Sequence, residues 1–167
     1  EFDDEKFQPQ DVYVTATKLV VIGNTWTSDS QMYYGSGRTK VYVYAMDADR
    51  NLTKDRTVEF DGNQLSSRRI GNRLYLVMKY QPDVYRIMPA QPVADVEKEL
   101  PMYKDSVTSE EMPVVPCGGI RYFPHYDDAS FTIVASFDVE NAQSEIAKEV
   151  IMGAGDIVYA STTSLYV

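Results

Sequence analysis

The sequence predicts an all-β protein: two four-stranded antiparallel units, the start of a third, and a long proline-rich insertion. Three observations carry that expectation. First, one strand unit is written more than once, as VYVTATKLVV at 12–21, VYASTTSLYV at 158–167 and, more weakly, RRIGNRLYLV at 68–77. The first two share Val12/Val158, Tyr13/Tyr159, Thr17/Thr163, Leu19/Leu165 and Val21/Val167, and Leu74 takes the place of Leu19 in the third. Self-similarity of this kind marks a repeat architecture. Second, the pieces between copies match, VYVYAMD (41–47) with TIVASFD (132–138) and RTVEFDG (56–62) with KEVIMGA (148–154). Third, the spacings agree. Leu19 to Leu74 is 55 residues and Leu74 to Leu165 is 91; Leu19 to Val41 is 22 and Leu74 to Thr132 is 58; each pair differs by 36. The second unit therefore reads as the first plus 36 residues inserted between Leu74 and Thr132.

The elements follow in order. Residues 1–10 (EFDDEKFQPQ) are polar and acidic and read as a flexible lead-in. Strand-like runs come next at short intervals, among them Val41-Tyr42-Val43-Tyr44, β-branched and aromatic as strands prefer. IGN at 22–24 and 70–72 reads as a turn twice, and Asp61-Gly62-Asn63 is a strong turn signal. Residues 47–55 (DADRNLTKD) connect two strands. The stretch 81–129 holds seven of the eight prolines and is expected as a long excursion with one helical turn near 94–100. It is expected to extend from one unit without a core of its own. The first unit then has strands at 18–23, 39–46, 56–61 and 64–69, the second at 73–80, 131–139, 146–152 and 156–161, and 163–167 begins a third. The organisation expected is one domain over 11–167, with repeats at about 18–69 and 73–161.

Four-stranded antiparallel units repeated radially are propeller blades. A blade cannot bury both faces alone, and rings usually take about four to eight blades. Two blades and a fragment are therefore expected to belong to a longer protein or to complete themselves by association.

Composition bounds function. The chain of 167 residues carries a net charge of −9, and its basic residues form no cluster beyond Arg68-Arg69. A nucleic-acid binder needs a basic patch, so nucleic acid is not an expected partner. No apolar run approaches the roughly 20 residues of a membrane helix, and membrane insertion is not expected. The chain opens without a signal peptide, which reads as a mature or trimmed form. Cys117 is the only cysteine, so there is no internal disulfide. The 13 tyrosines read as strand formers, with an aromatic sugar-binding platform as the functional alternative.

The order LVVIG, VYVYAMD, VEFDGNQLSSRRIGNRLYLV, YFP (122–124), FTIVASFDV and IVYASTTSLYV resembles the family of secreted bacterial and archaeal proteins with a C-terminal β-propeller domain. The similarity covers nearly all of 11–167, and its most specific pieces are 61–77 and 158–167. The resemblance implies an all-β propeller segment, export, and residence outside the cell or on its surface. It carries over no activity and no catalytic residue.

Asp47, Asp49 and Asn51, with Asp55 beyond, have the spacing of a calcium loop. However, Leu52 stands where an EF-hand needs Gly and Val58 where it needs Glu, so a polar turn is the plainer reading. His125, near Asp127 and Asp128, suggests a general base or half a metal site; zinc needs at least three protein ligands and the chain has one His and one Cys. Cys117 with His125 is the only nucleophile dyad on offer. YGSGRTK (34–40) places glycines near Lys40 without the phosphate-loop pattern and reads as a hairpin loop. Arg68 and Arg69 point to opposite faces of a strand, which leaves one for an anion contact in a propeller channel. Asn51-Leu52-Thr53 fits a glycosylation sequon.

The reading that follows is a non-enzymatic binding or scaffold module, secreted or at the cell surface, with no assigned catalytic residue, metal or cofactor. Its expected partners are a protein or carbohydrate, further propeller blades, or another copy of itself. The alternative is part of an extracellular hydrolase whose active site lies largely outside this segment. A calcium-stabilised structural repeat is a third class.

Overall fold

The computed structural model describes residues 6–26, 37–82, 100–122, 130–153, 158–161 and 164–166. Thirteen strands are described: β1 (Gln8–Val14), β2 (Lys18–Thr25), β3 (Arg38–Met46), β4 (Leu52–Asp61), β5 (Asn63–Ile70), β6 (Arg73–Tyr80), β7 (Met102–Asp105), β8 (Glu111–Pro113), β9 (Arg121–Tyr122), β10 (Phe131–Asp138), β11 (Ala147–Met152), β12 (Tyr159–Ala160) and β13 (Leu165–Tyr166). The fold is all-β. Sheet one has the order β1-β2-β3-β4-β7-β8, sheet two the order β5-β6-β10-β11-β9, and β12 pairs with β13.

Period-two alternation sets the core. Val20, Ile22, Val41, Val43, Val58 and Phe60 leave the inner face of sheet one, and Leu74, Leu76, Met78, Ile133, Ala135, Phe137 and Val150 leave that of sheet two. The two sets form one cluster, so the sheets pack face to face. A second, smaller cluster of Phe7, Val21 and Tyr42, with Leu19 and Tyr44 against it, lies on the outer face of sheet one.

The repeat is visible at atomic detail in three hairpins. Tyr13 lies opposite Val20 in β1–β2, Arg68 opposite Tyr75 in β5–β6, and Tyr159 opposite Tyr166 in β12–β13. Those pairs are related by the same 55- and 146-residue offsets that align the sequence copies. Thr15 N–H donates to Lys18 O at 2.8 Å, and Ser161 N–H donates to Ser164 O at 2.8 Å. Lys18 N–H reaches Thr15 Oγ1 at 2.9 Å, and Ser164 N–H reaches Ser161 Oγ at 3.0 Å. Leu19 lies on the outer face of sheet one and Leu74 on the inner face of sheet two. Both therefore point the same way along the stack, as a rotation from one unit to the next demands.

Beyond the hairpins the sequence alignment slips. Leu19 lies opposite Tyr44, but Leu74 lies opposite Phe137, two residues beyond the aligned Ala135. A two-residue slip keeps every side chain on its face. Val58 and Val150, aligned in sequence, both enter the core between the sheets. They point in opposite senses along the stack, so that alignment is out by one.

Four expectations need correction. Residues 7–10 are not a lead-in: Phe7 is buried against Tyr42 (ring centroids 5.0 Å apart), and β1 begins at Gln8. Residues 1–5 lie outside the described residues. IGN at 22–24 is no turn but part of β2, where a Cβ on Gly23 would sit 2.2 Å from Gln8 O on β1. The third correction concerns residues 64–69, expected in the first unit, which form β5 in sheet two. The turn at Asp61-Gly62-Asn63 exists, with Gly62 at φ 101, but it carries the chain across to the other sheet. Thr39 Oγ1 donates to Gly62 O at 2.8 Å, and Gln64 N–H donates to Asn24 Oδ1 at 3.2 Å, which ties the crossing to sheet one. Finally, the described part of the strand expected at 156–161, residues 158–161, does not join sheet two; β12 pairs with β13, and β5 takes the fourth place.

Residues 100–122 of the expected excursion lie among the described residues. β7 pairs antiparallel with β4 and β8 with β7, so residues that follow β6 of sheet two extend sheet one. Tyr103 stacks on Phe60 at 5.8 Å and joins the shared core with Val114. Residues 83–99, which include nearly all of the helical turn expected near 94–100, lie outside the described residues.

Candidate binding surface

The two sheets are locked together by polar contacts as well as by the core. Arg56 alternates with Val58 and Phe60 on β4, so the strand delivers a guanidinium to the inner face. Its Nε and Nη2 donate to Asp105 Oδ1 and Oδ2 at 3.1 and 2.6 Å, with both side chains buried. Nη1 donates to Ser144 Oγ at 3.2 Å, and the guanidinium lies 5.1 Å from the Phe137 ring centroid. Thus one arginine of sheet one joins β7 to residues of sheet two and the loop after β10. At the opposite edge, Asp11 on β1 accepts from Gln64 Nε2 at 2.5 Å and from Ser67 Oγ, both on β5. Sequence reasoning missed this clamp; the signal was a charged residue at a core-facing alternate position.

The sequence candidates are dispersed. Asp47 accepts from the Asn51 backbone at 2.7 Å and from Asn51 Nδ2 at 2.9 Å, which closes its own turn. Those bonds hold the Asp47 carboxyl below the usual carboxylate range. Asp55 pairs instead with Lys18. Among the described residues, no three His, Cys, Asp or Glu come together as a metal site. Cys117 is exposed on a 3-10 turn (Cys117–Gly119). His125, Asp127 and Asp128 lie outside the described residues, as do residues 34–36.

Of YGSGRTK, the described part is Gly37 and the start of β3. Arg38 binds Glu59 at 3.0 Å, Asp61 at 2.8 Å and Glu111 at 2.6 Å. Burial works against the Arg38 charge, but Asp61, Glu111 and Glu59 outweigh it and hold the group above the ordinary arginine range. Burial pushes the Asp61 carboxyl up, against the Met102 N–H and Arg38, which pull it down. This clasp fastens β8 across β3 and β4. Arg69 Nη1 donates to Gly71 O at 2.5 Å, and Arg68 points the other way, into a groove.

That groove, about 810 Å³, lies over the outer face of sheet two. Ile70, Tyr75 and Val134 supply apolar surface, Arg68 and Glu149 supply charge, and Ser161 and Ser164 of the third hairpin form one wall. Glu149 also meets Arg121 at 3.3 Å on the exposed rim. The groove thus combines apolar surface with charges of both signs. The third hairpin itself presents Tyr159 and Tyr166, 67% and 60% exposed, with ring centroids 6.2 Å apart.

A family model described as Beta propeller domain matches residues 1–167. The chain belongs to the beta propeller domain family. No curated protein and no solved structure matches it. Repeated hairpins and sheets packed face to face agree with such a fold. Propellers support many unrelated functions, so membership assigns a scaffold and not a ligand. Among the described residues, no helix is long and apolar enough to cross a membrane.

Proposed function

We propose that this chain is a non-enzymatic binding or scaffold module, a segment of a larger β-propeller working outside the cell or on its surface. Its first blade is β1–β4, its second is β5, β6, β10 and β11, and β12–β13 open a third. Residues 100–122, part of the excursion expected over 81–129, leave the second blade and brace the first. One observation carries the reading. Three hairpins share one register, and the face buried in the first is exposed in the third, at Tyr159 and Tyr166. Rigid sheets with uncovered aromatic faces are contact surfaces, since large exposed apolar patches mark interaction sites. The contacts expected are a protein or carbohydrate partner, further blades, or another copy. The extracellular setting rests on the resemblance of 61–77 and 158–167 to secreted propeller proteins.

The test is the solution mass of the whole chain by light scattering across a dilution series. Growth of mass with concentration is expected. A monomer at every concentration would overturn the open-faced scaffold, and the chain would then be a self-sufficient domain.

A further inference from the structure

The fold puts the Asn51-Leu52-Thr53 sequon on open ground. Of the asparagines at 24, 51, 63, 72 and 141, Asn51 alone is followed two residues on by Ser or Thr. It ends the turn between β3 and β4, and residues 47–54 are all exposed. Leu52 and Thr53 open β4 opposite Met46 and Ala45. Asn51 therefore stands at the end of a rigid hairpin. Its side chain is oriented there by Nδ2 donating to Asp47 Oδ2 at 2.9 Å. An amide nitrogen carries two protons, and this bond uses one. The β3–β4 turn lies where the short turns of both sheets gather. Met46 N–H donates to Thr17 O at 2.7 Å, Thr17 Oγ1 donates to Glu140, and Val139 N–H donates to Asn72 O at 2.9 Å. The long connections, 26–37 and 81–130, and the crossing at Gly62 leave from the opposite end of the sheets.

Resting on the extracellular setting proposed above, we propose that Asn51 is an N-glycosylation site. The donor is a sugar linked through phosphate to a lipid. Asn51 Nδ2 bonds to the anomeric carbon of the sugar, the bond from that carbon to the phosphate oxygen breaks, and Nδ2 gives up one proton. The second proton can keep the bond to Asp47, so the turn survives the transfer. The hydroxyl of Thr53 is the feature that such a transfer requires at the second residue after Asn. A glycan is bulky and hydrated and belongs on a surface turn. At Asn51 it stands at the end opposite the long connections, and no core residue has to move to admit it.

Mass spectrometry of the peptide holding Asn51, on the chain isolated from its source cells and their medium, tests the site. A mass increase of one or more sugar units on Asn51 is expected. Expressed in the same cells, Thr53→Ser is expected to keep the increase, and Thr53→Ala and Asn51→Gln to lose it. Thr53→Ala leaves Asn51 in place, so it separates glycan transfer from any part Asn51 plays in the turn. If Asn51→Gln fails to fold, the comparison of Thr53→Ala with Thr53→Ser carries the test alone. A chain recovered outside the cell with Asn51 unmodified overturns the site and leaves the extracellular setting standing. A chain recovered only inside the cell and unmodified overturns both. An increase that survives Thr53→Ala overturns the role of the sequon.

Discussion

Asp105→Asn isolates the clamp between the sheets. The change keeps volume and one acceptor oxygen but removes the negative charge facing Arg56. The Arg56 and Asp105 side chains are 2% and 7% exposed, so solvent cannot replace what is lost. Ser144 Oγ and the Phe137 ring remain beside the guanidinium, but neither carries a formal charge. Breaking a buried pair from one side costs about 3–5 kcal/mol, because the other charge stays buried and uncompensated. At about 2–4 °C per kcal/mol for a chain of this size, the melting temperature should fall by about 6–20 °C. The urea midpoint should fall with an unchanged slope, read by circular dichroism. The double change Arg56→Met with Asp105→Leu should return to within about 1 kcal/mol of wild type, since apolar replacement of a buried pair is often neutral or stabilising. A single-variant cost below about 1 kcal/mol would refute the reasoning. So would a double variant as unstable as Asp105→Asn.

Three further outcomes follow from the geometry. Gly23→Ala places a Cβ 2.2 Å from Gln8 O and 2.8 Å from the Phe7 ring; it should cost about 1–3 kcal/mol and strip hydrogen-exchange protection from β1 before any other strand of sheet one. The Asp61 carboxyl is held above its ordinary 3.8 by burial, so the folded state keeps that proton longer than the unfolded state. Its contribution is full below 3.8 and is lost as pH rises through the raised value. Wild type should therefore lose more stability than Asp61→Asn on titration upward from pH 3.8, and parallel urea midpoints would contradict this. EDTA should leave the melting temperature unchanged, because Asp47 is occupied by Asn51 and Asp55 by Lys18; a fall in its presence would restore the calcium-stabilised repeat.

What was legible in the sequence was local. A hairpin fixes its register within about ten residues, so the copies at 12–21, 68–77 and 158–167, aligned as sequence, turn out to share one hairpin register, although the pairing of 64–69 with 73–80 was not expected. The third strand of each unit pairs with the second across a long connection, 26–37 in one unit and 81–130 in the other, and there the alignment slipped by two; at the fourth strand it is out by one. Asp61-Gly62-Asn63 shows the same limit. Turn chemistry specifies a reversal of backbone but not which sheet receives the next strand, and tertiary contacts from Thr39 and Asn24 decide it. Gly23 was read as a turn residue because close backbone approach leaves the same letter in the sequence as a tight turn. The groove over sheet two was not legible at all. Arg68 was singled out, but Tyr75, Val134 and Glu149 come from three separate strands and meet only once sheet two is assembled.

The residues after β6 have a consequence for the whole stack. They leave sheet two, add β7 and β8 to sheet one, and return through β9, which pairs parallel with β11. Along the way they contribute Asp105 to the buried clamp, Tyr103 to the core, and a ring over which Lys148 Nζ of β11 sits at 3.9 Å. The second unit is thus splinted to the first by its own chain. With the shared core between the sheets and Asp11 bonded to β5 at the far edge, the step from one unit to the next is fixed at both edges and the centre. A rigid step is what makes the third hairpin informative. The register that buries Val20 against sheet two places Tyr166, 60% exposed, at the same position of the third hairpin.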